Sequence, residues 1–176
     1  MTTLLGLSGS LRAASFNTKL MKAAAARFAP DTFVEGDLRF PLYDGDLEDR
    51  EGIPEAVQRL SDQIAEADAV IISTPEYNKA PSGVLKNALD WVSRTEGNPW
   101  AEKPLAIMSA TAGRAGGERT QFALRLMMVP FRTRIIQGPE VLVGNASEHF
   151  NEAGELVTKS YQKFLDDLMG RLKAMV

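Results

Sequence analysis

The sequence has 176 residues, of which 44% are hydrophobic and 24% are charged, and its formal net charge is −3. These values are typical of a globular domain, so disordered, coiled-coil and collagen-like classes are excluded, and no basic surface broad enough for a nucleic acid is expected. The chain has no cysteine and one histidine, which excludes disulfides, thiolate nucleophiles, iron–sulfur clusters and multi-histidine metal sites.

The length is that of a typical single domain, so we expect one domain over residues 1–176. The N-terminal apolar run is short and lacks a positive leading region, which predicts a first strand and not a signal peptide. No stretch approaches the ~20 apolar residues of a membrane span. We therefore expect a cytoplasmic protein without membrane contact.

Short apolar runs alternate with amphipathic stretches along the chain. The runs predict strands at residues 4–8, 32–36, 69–74, 105–110 and 134–143. The stretches have apolar residues at helical spacing and predict helices at residues 16–28, 57–67, 85–92, 117–127 and 161–175. The connection over residues 37–53 is long and acidic, and we expect it to wrap the surface.

Five strand–helix repeats predict an α/β fold: a doubly wound five-stranded parallel sheet of order 2-1-3-4-5 with helices on both faces. In such sheets ligands bind beyond the carboxyl ends of the strands, where the strand order reverses. The segments after strands 1, 3 and 4 are therefore expected to converge on one crevice.

The segment after strand 1 has the composition of a phosphate site. Ser10, Ser15 and Asn17 offer hydroxyl and amide donors, Arg12 offers a fixed positive charge, and the start of a helix attracts anions. The alternative is that Ser15 only caps the helix and Arg12 is solvated. The segment has neither a dinucleotide-binding nor a P-loop glycine pattern, which favours a monophosphate.

The segments after strands 3 and 4 complement this site. Pro75 and Pro81 stiffen the first, where Tyr77 offers a flat aromatic surface, although an ordinary proline-stiffened turn has the same composition. Gly113 and Gly116 in the second allow close backbone approach to a polar ligand edge. A phosphate, a flat ring and a polar ring edge together describe flavin mononucleotide (FMN).

The sequence resembles the NAD(P)H-dependent FMN reductase family of flavodoxin-like proteins, which includes quinone, azo-dye and chromate reductases. Three blocks carry the resemblance over about residues 4–143: GSLRAASFN from residue 9, PEYN from residue 75 and GVLKNALDW from residue 83. The resemblance implies that Ser10, Arg12, Ser15, Phe16 and Asn17 hold the FMN phosphate. It implies that Pro75, Glu76, Tyr77 and Asn78 line the ribityl chain and the ring, and that Ser109, Ala110, Thr111, Gly113 and Gly116 meet the pyrimidine edge.

The implied reaction is hydride transfer from NADPH or NADH to the flavin N5, followed by transfer to a small-molecule acceptor bound at the same face. This scheme needs no protein nucleophile and no metal, so no residue is assigned as catalytic. Glu76, Tyr77 and Arg114 are candidates for substrate contact only, and His149 is expected in a surface loop.

Two other functions are open at this level. One is an FMN-bearing electron shuttle without NAD(P)H oxidation of its own, although a net charge of −3 is small for a protein that docks through charge. The other is a module that binds a different mononucleotide, or a sensor without flavin. Colour of the purified protein and NAD(P)H oxidation separate these functions from the reductase.

The resemblance also implies a homodimer or homotetramer. Trp91 lies outside the apolar stripe of its predicted helix, and residues 122–131 are apolar around most of the helix circumference. Both features suggest a partner surface. A thick core contact for residues 122–131 is an equally open interpretation.

Overall fold

The computed structural model describes all 176 residues and contains six strands. The strands are β1 (Thr3–Ser8), β2 (Thr32–Gly36), β3 (Ala69–Ser73), β4 (Pro104–Ala110), β5 (Arg134–Ile135) and β6 (Val141–Val143). The helices are α1 (Phe16–Phe28), α2 (Gly45–Glu51), α3 (Glu55–Glu66), α4 (Gly83–Val92), α5 (Glu118–Met128) and α6 (Lys159–Lys173). Five of these helices match the predicted amphipathic stretches, while α2 was not predicted.

The sheet is parallel, with the order β2-β1-β3-β4-β5, and β6 also pairs with β4. In register, Leu5 of β1 lies between Val34 of β2 and Val70 of β3, and Ile71 of β3 lies beside Ala106 of β4. Every residue of β3 and β4 is buried, because helices cover both faces of the sheet there. The predicted doubly wound fold and its 2-1-3-4-5 order are confirmed.

The last strand differs from the prediction. Residues 134–143 were expected to form one strand, but β5 and β6 are separate and pair with opposite ends of β4. Gly138 and Pro139 lie in the break between them, and a proline has no amide proton to donate to a sheet. The edge of the sheet is therefore made of two short strands joined by a loop.

The connection between β2 and α3 lies against α4, and we call its residues 37–53 the strap. Trp91 Nε1 and Asn87 Nδ2 both donate to the carbonyl of Pro41, at 2.8 and 2.9 Å. Tyr43 packs edge-on against Trp91, with ring centroids 5.1 Å apart. Trp91 is fully buried by these contacts, so the expectation that it faces a partner is wrong: the strap covers it.

Two apolar cores flank the sheet. One is built on α1 and α6 and includes Leu20, Phe28 and Leu168, and the other is built on α3, α4 and α5 and includes Ile64, Leu89 and Leu124. The helices of both layers bury their apolar stripes against the strands. This packing holds the carboxyl ends of β1, β3 and β4 side by side at one edge of the sheet.

Candidate functional site

The loops after β1 and β3 lie directly on one another. The amide of Gly9 donates to the carbonyl of Ser73 at 2.8 Å. A Cβ atom at Gly9 would lie 2.6 Å from Thr74 Oγ1 and 3.2 Å from Ser82 Oγ, so no side chain fits at this position. Glycine at residue 9 therefore allows the first two predicted binding segments to form one surface.

The start of α1 presents backbone donors that the protein does not use. Ser15 is the N-cap, and its Oγ accepts from the amides of Asn17 and Thr18 at 3.2 and 3.3 Å. The amides of Leu11, Ala13, Ala14 and Phe16 have no hydrogen-bond partner in the protein. Because they lie at the positive end of the helix dipole, the surface that they form is suited to an anion.

Arg12 adds charge to this surface. It is exposed and takes part in no salt bridge, unlike Arg39, which pairs with Asp37 at 2.9 Å. Two adjoining cavities share Arg12, Ser10 and Leu11. One, of about 420 Å³, lies toward the end of β2, and the other, of about 380 Å³, lies toward the start of α4 and is also lined by Tyr77, Ser82, Gly83 and Val84.

The β3–α4 loop ends in a tight turn over residues 77–80. Tyr77 and Ala80 exchange backbone hydrogen bonds of 2.9 and 3.1 Å, and Asn78 and Lys79 between them both have positive φ, as in a type I′ turn. The Tyr77 side chain is 52% exposed at the cavity. Pro75, by contrast, is buried, and Glu76 reaches across to α5.

The β4–α5 loop is packed on β6. A Cβ atom at Gly116 would overlap the carbonyl of Leu142, and Ser109 Oγ donates to the Gly116 carbonyl at 2.6 Å. Close packing against Leu142 therefore explains why residue 116 is glycine, and no ligand is needed to explain it. Gly113 differs, since a Cβ atom there would meet nothing within 4 Å, and its amide and those of Ala112 and Arg114 are unbonded.

Asn17 bonds to the ends of β3 and β4 at the base of the crevice, which we call the floor. Its Oδ1 accepts from Ser73 Oγ at 3.0 Å and from the Ala110 amide at 2.9 Å, while its Nδ2 donates to the Ala110 carbonyl at 2.8 Å. The side chain is 3% exposed. It therefore links the start of α1 to the ends of β3 and β4, and its Nδ2 keeps a second hydrogen that no group of the protein accepts.

The structure brings three of the predicted residues, Ser10, Arg12 and Tyr77, to one cavity. It does not bring Phe16 there as a side chain, because the ring packs on Phe150 with centroids 5.5 Å apart. The polar groups of Ser109 and Ala110 are taken up within the protein, and Thr111 bonds to Val143 and Gly113. These residues position the β4–α5 loop, which does not line the cavity.

Sequence reasoning missed residues of two kinds. The free amides of Leu11, Ala13 and Ala14 could have been found, because they lie just before a predicted helix start. Thr120 and Gln121 carry no local signal. Both are fully buried at the start of α5, where Thr120 bonds to Pro75 of the β3–α4 loop and Gln121 bonds to Ser109 at the end of β4.

Three ionisable groups with shifted pKa values lie together where the strap meets the end of α4: Tyr43, Glu48 and Arg94. The hydrogen bond from Arg94 lowers the pKa of Glu48, and the hydrogen bond that Tyr43 donates to Glu48 raises the pKa of Tyr43. Arg94 Nε lies 3.0 Å from Glu48 Oε2. These groups fasten α2 to the end of α4 and do not line the cavity that Ser10, Arg12 and Tyr77 share.

No group of three or more histidine, cysteine, aspartate or glutamate side chains is arranged to hold a metal. None of the helices has the length and apolar character needed to cross a bilayer. The crevice offers backbone amides, the free guanidinium of Arg12 and the exposed aromatic ring of Tyr77 as means of binding.

The strand order defines a flavodoxin-like protein, and unbonded backbone amides lie in its crevice at the end of β1. The profile of the NADPH-dependent FMN reductase family matches residues 2–148. An NAD(P)H-dependent FMN reductase of Pseudomonas aeruginosa is 38% identical over 98% of this chain and 94% of its own length. A quinone reductase of Escherichia coli K12 is 38% identical over 96% of this chain and 90% of its own.

The solved structure of FerB, a flavoenzyme NAD(P)H:(acceptor) oxidoreductase from Paracoccus denitrificans, superposes with a TM-score of 0.87. It is 32% identical and the match covers 99% of this chain and 97% of that one. The chain belongs to the NADPH-dependent FMN reductase family. The resemblance identified from the sequence, with its enzyme class and its FMN and NAD(P)H cofactors, is thereby confirmed at the level of the family.

Proposed function

We propose that this protein holds one FMN in the crevice and oxidises NADPH or NADH to reduce quinones and related flat acceptors. The observation that carries the proposal is the row of unbonded amides at Leu11, Ala13, Ala14 and Phe16, next to the unpaired Arg12. A helix N-terminus with free donors and a free guanidinium suits a phosphate monoester.

The residues of the crevice fit FMN in a way that revises the predicted contacts. The amides from Leu11 to Phe16, the Ser10 hydroxyl and Arg12 would hold the phosphate. Tyr77 would flank the flavin ring, and the unbonded amides of residues 112–114 would face its polar edge. Ser15 and Asn17 would hold the helix start in place through their bonds within the protein, and the Ser15 hydroxyl hydrogen and the second Nδ2 hydrogen of Asn17 remain free to donate to the phosphate.

FMN supplies hydride acceptance from NAD(P)H and electron transfer to the acceptor. The protein binds and orients it, and the backbone donors of the β4–α5 loop stabilise negative charge at the edge they face. Tyr77 is exposed enough to meet a flat substrate. No side chain in the crevice is needed as an acid or base, so turnover depends on how the protein positions FMN and the two substrates.

The test is anaerobic titration of the purified protein with FMN and then with NADH and NADPH, followed by a panel of quinones. We expect one FMN per chain, bleaching by at least one nicotinamide and reoxidation by quinone. A chain that binds FMN but is not reduced by either nicotinamide would be an electron shuttle. A chain that binds no FMN would contradict the proposal. Azo and chromate acceptors and the cytoplasmic location stay predictions.

We further propose that α5 forms a surface between copies of this chain. Leu124 and Met128 face the core, but Phe122, Leu126 and Val129 are 56%, 73% and 67% exposed along the other side. Such a stripe is costly to leave in water and is typical of a partner surface. The core interpretation of residues 122–131 thus applies to the side with Leu124 and Met128, and the partner interpretation is what we propose for the exposed side.

Light scattering after size-exclusion chromatography tests this surface. Leu126→Asp should lower the molecular mass in solution to that of fewer copies, because a carboxylate cannot be buried unpaired in an apolar interface. Leu42→Asp is the matched control, since Leu42 is 81% exposed on the strap and should leave the mass unchanged. A wild-type monomer would overturn the proposal. Dimer and tetramer are distinguished by the same measurement.

A further inference from the structure

The first turn of α5 bonds to the β3–α4 loop and to the end of β4, from which the β4–α5 loop begins. Thr120 Oγ1 donates to the carbonyl of Pro75 at 3.2 Å, and the Thr120 amide donates to Glu76 Oε2 at 3.3 Å. These bonds fasten the β3–α4 loop just before the turn that carries Tyr77. A charged carboxylate at a helix N-terminus is also favoured by the helix dipole.

The next residue is linked to the β4–α5 loop through Ser109 at the end of β4. Gln121 Nε2 donates to Ser109 Oγ at 2.9 Å and to the Val141 carbonyl at 3.0 Å. Ser109 Oγ in turn donates to the Gly116 carbonyl, which closes the β4–α5 loop. A chain of two hydrogen bonds thus runs from Gln121 to the loop whose amides are unbonded at residues 112–114.

The burial of Gln121 adds a second observation. The residue is fully buried, and its Oε1 has no hydrogen-bond partner in the protein. An unsatisfied Oε1 opposes folding, but an apolar side chain of the same size would leave Ser109 Oγ and the Val141 carbonyl without this donor. What glutamine provides at this position is therefore its two donor bonds, to Ser109 and Val141.

We infer that Thr120 and Gln121 are positioning residues that set the gap between the β3–α4 and β4–α5 loops and so determine affinity for the flavin ring. This inference rests on the proposed function. It differs from the assignment of Arg12, because the two loops would touch the ring and not the phosphate. The two kinds of contact can therefore be separated with riboflavin, which has the ring but no phosphate.

The variants are Thr120→Val, which removes only the hydroxyl, Thr120→Ser, which restores it, and Gln121→Met, which removes both donors at similar volume. Thr95→Val is the matched control. Thr95 Oγ1 bonds to Ser61 Oγ at 2.8 Å and to the Val92 carbonyl at the far end of α4. Urea unfolding of each variant shows that it is folded and how much stability it has lost.

Dissociation constants for FMN and riboflavin are then measured by flavin fluorescence. We expect Thr120→Val and Gln121→Met to weaken both ligands equally, by about fivefold per lost hydrogen bond. Thr120→Ser should remain close to wild type, and Thr95→Val should lower stability without changing either constant.

Two outcomes would overturn the inference alone. In one, Thr120→Val and Gln121→Met lose stability while wild-type affinity for both ligands is kept, which would mean a purely structural role. In the other, FMN binding weakens and riboflavin binding does not, which would mean that these residues act through the phosphate loop. A wild-type protein that binds neither ligand would overturn the proposed function as well.

Discussion

The rim and the floor of the crevice differ in whether their polar groups are exposed or form hydrogen bonds within the protein. In the rim, made of Ser10, Arg12 and Tyr77, the Arg12 and Tyr77 side chains are exposed, and Arg12 has no ion pair. In the floor, made of Asn17, Ser73, Ser109 and Gln121, every side chain is at least 97% buried and bonds to another part of the protein.

This difference follows from the energetics of burial. A buried polar group must bond within the protein, because an unsatisfied one opposes folding. Floor residues therefore use most of their polar groups in bonds within the protein, whereas the polar groups of the rim are free for a ligand. Residues that look alike in sequence, such as Ser10 and Ser109, thus differ in which polar groups are free, and a change in one region should leave the other intact.

Asn17→Ala should have the largest effect, because it breaks the floor at the point where three elements meet. The change leaves both polar groups of the Ala110 backbone and Ser73 Oγ without their partner. We expect a loss of about 2–4 kcal/mol in the free energy of unfolding, together with most of the FMN affinity. Urea denaturation and flavin fluorescence measure the two effects.

Asn87→Ala is the matched control for this change. Asn87 also bonds through both ends of its amide, to Tyr43 and Pro41 of the strap, but it does not contact the binding loops. It should lose about 1–2 kcal/mol and keep its FMN affinity. Equal loss of FMN affinity in both variants would show that general destabilisation, and not the floor, controls binding.

Arg12→Ala changes the rim alone and should have the next largest effect. A charge-assisted contact to phosphate contributes about 1.5–3 kcal/mol, so FMN should bind roughly 10- to 150-fold more weakly while riboflavin is unaffected. Stability should hardly change, because Arg12 has no partner in the protein. Calorimetric titration with both flavins gives the comparison.

Arg39→Ala is the matched control, because it also removes a guanidinium. Arg39 lines the cavity on the β2 side of Arg12 but is already paired with Asp37. We expect the Arg39→Ala variant to keep most of the wild-type affinity for FMN. If Arg12→Ala weakened riboflavin as much as FMN, Arg12 would be acting on the loop conformation and not on the phosphate.

Glu48→Gln tests a region outside both rim and floor. The pKa of Glu48 is lowered in the folded state by the hydrogen bond from Arg94, so its contribution to stability is present above the ordinary value of 4.5 and is lost as the pH falls through the lowered value. The stability difference between wild type and variant should therefore shrink below pH 4.5. Urea unfolding at a series of pH values measures it.

The control for this change is Glu51→Gln on the same helix, where the pair with Arg50 is exposed on both sides. Exposed pairs contribute little, so this variant should follow the wild type. FMN affinity should be the same in all three proteins. A gap between wild type and Glu48→Gln that does not vary with pH would contradict the assignment of Glu48 as the titrating group.

His149→Ala should have the smallest effect. The ring is half-buried, bonds to Thr158 and packs edge-on against Tyr161, away from the crevice. If both substrates use one flavin face in turn, initial-rate plots against NAD(P)H at several quinone concentrations should be parallel, and the variant should turn over like the wild type. Intersecting plots, or a variant without activity, would indicate a missed site or a missed acid–base residue.

Much of the fold and part of the rim could be predicted from the sequence, because both depend on local patterns. Periodicity over a few residues identified five strand regions and five of the six helices. The start of α1 and the charge of Arg12 are likewise read from adjacent residues. The two misses in the fold also have local causes, since α2 buries no residue and shows no apolar stripe, and Pro139 interrupts the last strand.

The floor was decided only by the tertiary structure. Asn17 and Ala110 lie 93 residues apart, and Thr120 bonds to Pro75 across 45 residues, so no local pattern indicates either pair. Sequence alone assigned Asn17 and Ser109 to the ligand because their side chains can bind one. Polar groups that are buried where the strand ends meet form hydrogen bonds within the protein, and the others remain free for a ligand. Burial is a property of the folded chain and cannot be read from the order of its residues.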